Sequence, residues 1–350
     1  MGLFSVLFAY LAKYKNIQWG LKVSFTLIFL FLALRYNFGN DYETYLNAFI
    51  EISQYNQIDI INIYSQVEPG WIILNWLFRS FGFFAMTAVL ALFNCVVYYR
   101  FIKKYVPVRY YWLAIFLYIF SPGFMLVHST AMRQSIAIMV FIFSLDYLNK
   151  KDAIRYFLCI GLASLFHLSA LILLPVYLLG LFNWKNYKVN GAIFVSIFVS
   201  LFLIGESLTP YIKQFISKYF GKYEVYQDAG VVNTGLGALF LSMLFIITIF
   251  FERVQNKETA LVFKIAIISF IFIPLGLLIQ LIGRVGMYFA PATIIVYPII
   301  LLNLKKPIRK AIFLTLILIF TTISFFQFIY SDTYKDAFGT YQTIFSALQR

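Results

Sequence analysis

Apolar residues in this chain run in long unbroken stretches instead of alternating with polar ones. Such runs lie at about 2–12, 21–36, 83–101, 110–127, 133–149, 153–181, 189–206, 236–252, 260–282, 285–302 and 310–330. As helices, the longer ones reach across the ~30 Å of a hydrocarbon layer with every backbone donor and acceptor paired within the segment. A membrane β-barrel would show a two-residue alternation instead. The pattern therefore predicts an all-α, polytopic integral membrane helical bundle of about ten to eleven membrane segments, forming a single integral membrane domain over residues 1–350. The first run lacks a basic leading region and a small-residue cleavage site, so it reads as a retained first helix.

Charges between the runs assign sides. Basic residues cluster at Lys13/Lys15/Lys22, Arg100/Lys103/Lys104/Arg109, Lys150/Lys151/Arg155, Lys185/Lys188 and Lys305/Lys306/Arg309/Lys310. Short loops rich in lysine and arginine stay cytoplasmic. With 303–310 inside, 282–285 is an external corner, 252–259 is inside, 207–235 is an external loop and 183–188 is inside. The basic clusters at 150–155 and 183–188 then demand the same side, although one apolar run joins them. Either one cluster is external, or 153–181 is a broken or re-entrant pair of short helices meeting near His167 and Ser169. The second reading is favoured, because non-helical backbone at membrane depth is tolerated where it lines a cavity. Further back, 127–133 is external, 100–109 internal and 37–70 external. That last loop carries Asp41, Glu43, Glu51, Asp59 and Glu68 and no lysine or arginine.

Composition agrees with the pattern and narrows the chemistry. The 350 residues are 62% hydrophobic and 21% aromatic, with a mean hydropathy of +0.84, well above a soluble domain. The net charge of +14 resides in the loop clusters and speaks for a lipid bilayer, not for nucleic acid. Cys95 and Cys159 lie within apolar runs, and His128 and His167 are the only histidines, so no metal site and no cofactor is expected. Neither a Walker A sequence nor a G-x-G-x-x-G fingerprint occurs.

Ionisable residues near hydrocarbon are costly and therefore functional candidates. Arg35, Asp41, Glu68, Arg79, His128, Arg133, His167 and Arg284 all fall at predicted external span ends. Arg133 and Arg284 stand on the side that the charge rule disfavours. Guanidinium forks match phosphate and diphosphate oxygens, so both are candidate anion ligands. The structural alternative is snorkelling to headgroups or pairing with Asp41 or Glu68. His167, isolated in "LASLFHLSALILLP", is a hydrogen-bonded core residue or, with a helix break and the Ser169 hydroxyl beside it, a functional one. Tyr42, Tyr45 and Tyr288 offer ring faces for sugars, although tyrosine is also common at membrane interfaces.

Four stretches occur in a telling order: "RYNFGNDYETY" at 35–45, "EPGW" with "LN" following at 68–75, "MRQSIAIMVFIFSLDYLNKK" at 132–151 leading to "FHLSALILLPVYLL" at 166–179, and "GRVGMYF" at 283–289. Together they resemble the EpsG family of exopolysaccharide biosynthesis proteins and, more broadly, the Wzy-type polymerases of O-antigen and capsule, over residues from about 30 to 300. The resemblance implies a membrane glycosyltransferase of the bacterial cytoplasmic membrane with its site facing outside or the periplasm. Such an enzyme moves a growing glycan from undecaprenyl diphosphate onto the non-reducing end of the next lipid-linked repeat unit, without a metal. On that reading Arg133, Arg284 and Arg35 hold the diphosphate. Asp41, Glu68 and His167 are candidates for the catalytic base, and Tyr42, Tyr45 and Tyr288 for sugar contacts. The partners would be an undecaprenyl-diphosphate-linked oligosaccharide, a chain-length regulator and a flippase. The competing activities are an O-antigen ligase-like transferase, a membrane-bound O-acyltransferase and a lipid-linked glycan flippase or transporter.

Overall fold

The structure, a computed structural model, describes residues 1–55, 67–181, 257–276 and 280–347 with a few isolated positions at 196–251. It is that of an all-α polytopic membrane protein. Among the described residues, Lys15–Ala33, Phe83–Tyr105 and Pro307–Ile329 are long and apolar enough to cross a membrane. A fourth crossing arises if the bent pair Gly283–Phe289 and Pro291–Asn303 acts as one. The expected runs at 189–206 and 236–252 and the loop at 207–235 lie outside the described residues, as does the middle of the 37–70 loop.

The chain divides into two compact units, the first holding residues 1–144, 158–171 and 304–350. It opens with α1 (Gly2–Leu11) and α2 (Gly20–Ala33). Ser24 Oγ donates to the carbonyl of Ser5 at 2.6 Å and to that of Gly20 at 3.0 Å, so a hydroxyl in an apolar helix is satisfied by its neighbour. Gly20 is required at the crossing, because a Cβ there would stand 2.2 Å from the Phe8 carbonyl. After β1 (Arg35–Tyr36) come α3 (Tyr42–Ser53), α4 (Pro69–Phe78), α5 (Phe83–Tyr105), α6 (Tyr111–Phe120) and α7 (Met125–Thr130). Phe25 of α2 packs edge-on against Tyr99 of α5. Buried Tyr118 of α6 donates its hydroxyl to Asn94 of α5, a polar link between apolar helices.

Two apolar runs differ in form from continuous spans. The run at 110–127 breaks at Ser121, ahead of Pro122 and Gly123, which separates α6 from α7. The run at 153–181 is a broken hairpin, the second of the two readings that its basic flanks left open. Helix α9 (Ala153–Ser164) follows α8 (Met132–Lys150) and has 12 residues, about 18 Å of rise and too short to cross. The chain then turns at 165–167 and returns as a 3-10 helix, Leu168–Val176, and α10 (Tyr177–Leu181). Tyr156 donates to the Leu173 carbonyl at 2.6 Å, and Tyr177 to that of Lys151 at 2.9 Å. The two arms thus run side by side and the chain comes back to the level of the 150–155 cluster.

Helix α14 (Pro307–Ile329) carries the chain back to the Arg35 end of the first unit. There β2 (Gln342–Thr343) pairs antiparallel with β1, Arg35 opposite Thr343 and Tyr36 opposite Gln342. The Gly39 N–H donates to the Ala337 carbonyl and that of Ile344 to Leu34, both at 3.0 Å. Tyr341 stacks on Phe31 with centroids 4.4 Å apart and donates to the Phe31 carbonyl at 2.8 Å. Residues 331–347 are therefore a strap across the segment that leaves α2. Gly39, at φ +120°, is held by sterics, because a Cβ there would meet Thr130 Cγ2 at 2.5 Å.

The second unit holds residues 145–157 and 172–303. Its described helices include α11 (Lys257–Gly276), α12 (Gln280–Phe289) and α13 (Pro291–Asn303). The chain bends by 52° between α12 and α13, where Pro291 cannot continue the hydrogen-bond ladder. Phe272 stacks on Phe289 across the α11–α12 pair, and α13 is buried from Pro291 to Leu301.

Candidate functional site

Within the first unit, three distant stretches of chain converge on one carboxylate. Glu68 immediately precedes Pro69, the first residue of α4, and takes the extended conformation that a residue before proline requires (φ −63°, ψ 133°). Its main-chain carbonyl accepts the N–H groups of Trp71 and Ile72. The carboxylate therefore sits at a helix N-terminus, where negative charge is favoured. It is only 5% exposed.

Arg133, the second residue of α8, places Nη1 2.5 Å from Glu68 Oε2. His167, at the tip of the broken hairpin, brings Nδ1 to 3.5 Å from Oε1. That is close approach without a formed hydrogen bond, and Nδ1, which is buried, has no hydrogen-bond partner. The hairpin tip is held there by backbone. The Gly70 N–H donates to the Leu165 carbonyl at 2.9 Å, and a Cβ on residue 70 would stand 2.7 Å from that oxygen. Glycine in "EPGW" is thus what lets α4 touch the turn that carries His167.

The electrostatics are one-sided. Burial pushes the Glu68 carboxyl up, but the His167 imidazole and the Arg133 guanidinium more than reverse this and hold it at about 2. Buried Tyr45 on α3 packs its ring 5.0 Å from Trp71. Burial raises its phenol pKa, against a downward pull from Arg133 beside it. Arg133 thus stands between a carboxylate and a phenol. Its side chain remains 33% exposed, against 6% for Glu68 and 8% for His167, so the guanidinium is the part of the cluster open to a ligand.

Arg35 lies in a different setting at the end of α2. It is buried, with Nη1 donating to the Leu32 carbonyl at 2.6 Å and Nη2 to that of Ser129 at 3.3 Å. Burial lowers its pKa to about 10, which leaves it charged at neutral pH. Asp41 is exposed and opens α3, its main-chain carbonyl accepting the Tyr45 N–H at 3.0 Å. Tyr42 is fully buried, edge-on to Phe83, with its hydroxyl 3.4 Å from the Arg35 carbonyl. Arg284, half-buried, and Tyr288, fully buried, belong to α12 of the second unit.

Of the residues singled out in the sequence, the structure therefore gathers Glu68, Arg133, His167 and Tyr45. Sequence reasoning missed Gly70 as the contact point and Tyr45 as the neighbour of Arg133. The Glu-Pro-Gly triplet was the available signal for the first, since Pro alone would suffice to start a helix.

A model of the EpsG family matches residues 19–343 of the chain. No curated protein and no solved structure matches it.

Proposed function

This chain belongs to the EpsG family, and from that premise we propose that it is a polysaccharide repeat-unit polymerase acting on lipid-linked substrates at the outer face of the bacterial cytoplasmic membrane. The observation that carries the reading is the Glu68–Arg133–His167 cluster, with one guanidinium edge exposed and an imidazole held beside a carboxylate.

Transfer of a growing glycan from undecaprenyl diphosphate needs stabilised charge on the leaving group and a proton acceptor for the attacking hydroxyl. Arg133 supplies the first, its exposed edge binding diphosphate oxygens while Glu68 and Tyr45 fix its position. Glu68, held at about 2, is too weak a base at neutral pH and serves to orient both partners. His167 is the proton acceptor: with Nδ1 turned to Glu68, Nε2 is the nitrogen left for the acceptor hydroxyl. The acceptor oxygen bonds to the anomeric carbon of the donor glycan as the bond from that carbon to phosphate oxygen breaks. Undecaprenyl diphosphate leaves with the electron pair, and the hydroxyl proton passes to His167. Arg35, with both terminal nitrogens on backbone carbonyls, takes no part in diphosphate contact. Asp41, exposed at the start of α3, contacts the acceptor sugar.

The test is purified protein given lipid-linked repeat units with no nucleotide sugar. One undecaprenyl diphosphate should appear for each bond formed and the glycan should lengthen. Release of the lipid diphosphate without lengthening would mean hydrolysis or another acceptor, and unchanged substrate would refute the reading.

A further inference from the structure

Arg35 presents a charge problem that the polymerase reading does not use. Its two hydrogen-bonded carbonyls, Leu32 and Ser129, lie at the C-terminal ends of α2 and α7 and offer fractional negative charge. No carboxylate among the described residues pairs with it. Its Nε is buried and without a hydrogen-bond partner, and the whole residue is 4% exposed. A buried guanidinium with an unused donor and no counter-charge is a costly arrangement.

The same side chain lines a small cavity of ≈ 20 Å³, together with Leu90, Asn94, Ser129, Ser135 and Met139. None of the residues lining it is acidic, and Ser135 is a buried hydroxyl. Room of this size suits about one small body such as a water or a monatomic ion. Arg133 is one position along α8 from Met132, another lining residue, and one residue turns a helix by about 100°. None of Glu68, Arg133 and His167 lines the cavity, so what it binds is independent of the polymerase reading.

We propose that this cavity is a binding site for one monatomic halide, with chloride the ordinary occupant, held by the Nε–H of Arg35 and the hydroxyl of Ser135. The ion supplies the missing counter-charge and ties the end of α2 to the first turns of α8. A water molecule would satisfy the donor but leave the charge uncompensated, so ion identity separates the two occupants.

The experiment is thermal unfolding of the full-length protein in detergent, in chloride, bromide or gluconate at equal ionic strength. Gluconate carries the same charge on a bulky organic carboxylate and serves as the non-halide comparison. The site predicts an unfolding temperature higher by at least about 2 °C in chloride and bromide, because a ligand bound only by the folded state stabilises it. Ser135→Val and Arg35→Gln should each remove most of that difference, and Ser135→Val keeps the test available if Arg35→Gln does not fold. Equal unfolding temperatures of the wild type in all three salts would overturn the proposal, as would an undiminished halide effect in Ser135→Val.

Discussion

The Nη1 atom of Arg133 and the Oε2 atom of Glu68 lie 2.5 Å apart, although 65 residues separate them in the chain. This bond joins the start of α8 to the start of α4, and the hairpin tip carrying His167 closes on the same carboxylate. Removing Arg133 is the costly way to break this pair, because the Glu68 carboxylate then stays buried without it.

Glu68→Gln keeps the shape and removes the charge. The variant is expected to lose elongation by about 100-fold or more, the scale of a misplaced acid–base group. It should also unfold somewhat more easily, by about 1 kcal/mol, because Arg133 is one-third exposed and water replaces part of the lost pairing. Glycan length on gels and thermal unfolding of the same preparation check the two effects together.

Acid should reveal the same pair. The Glu68 carboxyl is depressed to about 2 in the folded protein, from an ordinary 4.5. Its contribution to stability is therefore complete above pH 4.5 and is lost as pH falls from there through 2. The stability gap between wild type and Glu68→Gln should stay constant from pH 7 to about 5 and narrow below that. A gap that already narrows between pH 7 and 5 would contradict the assigned ionisation.

Gly70→Ala addresses the approach of α4 to the hairpin. The added methyl would stand 2.7 Å from the Leu165 carbonyl oxygen and 3.0 Å from Leu165 Cβ, and backbone must shift to admit it. Elongation should fall at least about tenfold, since small misplacements of a reacting group are costly. Gly82→Ala is a poor control because Gly82 is at φ +87°. Gly161→Ala is a better one, as nothing lies within 4 Å of a Cβ there, and it should retain activity.

The sequence carried the architecture further than the site. Continuous apolar runs implied helices, and the two basic flanks of 153–181 favoured a segment that turns back over one with a basic cluster outside, because a charge rule constrains both ends of a span at once. The pairing of Arg133 was harder to read. Asp41 and Glu68 were equivalent as letters, and only the fold separates them, one exposed at the start of α3 and the other buried beside Arg133. Tyr42 and Tyr45 illustrate the same limit: three residues apart on one helix, one fills the core and the other meets a guanidinium. The strap at 331–347 left no signal in hydropathy, since its hold on Phe31, Leu34 and Gly39 depends on backbone pairing and on one stacked ring.

That strap yields a topological prediction. The Gly39 N–H bonds the Ala337 carbonyl, so single cysteines at Asn40 and at exposed Asp332 should be labelled from the same side of the membrane. A cysteine at Lys306, before α14, should be labelled from the opposite side. Labelling of positions 332 and 306 from one side would mean that α14 does not cross.

The most direct test of the central claim is elongation by purified Arg133→Ala set against wild type, with lipid-linked repeat units as the sole substrate and thermal unfolding recorded for both. The account predicts a ladder of lengthened glycan with the wild type and none with a variant that still unfolds cooperatively. Wild-type chain lengths from Arg133→Ala would contradict it.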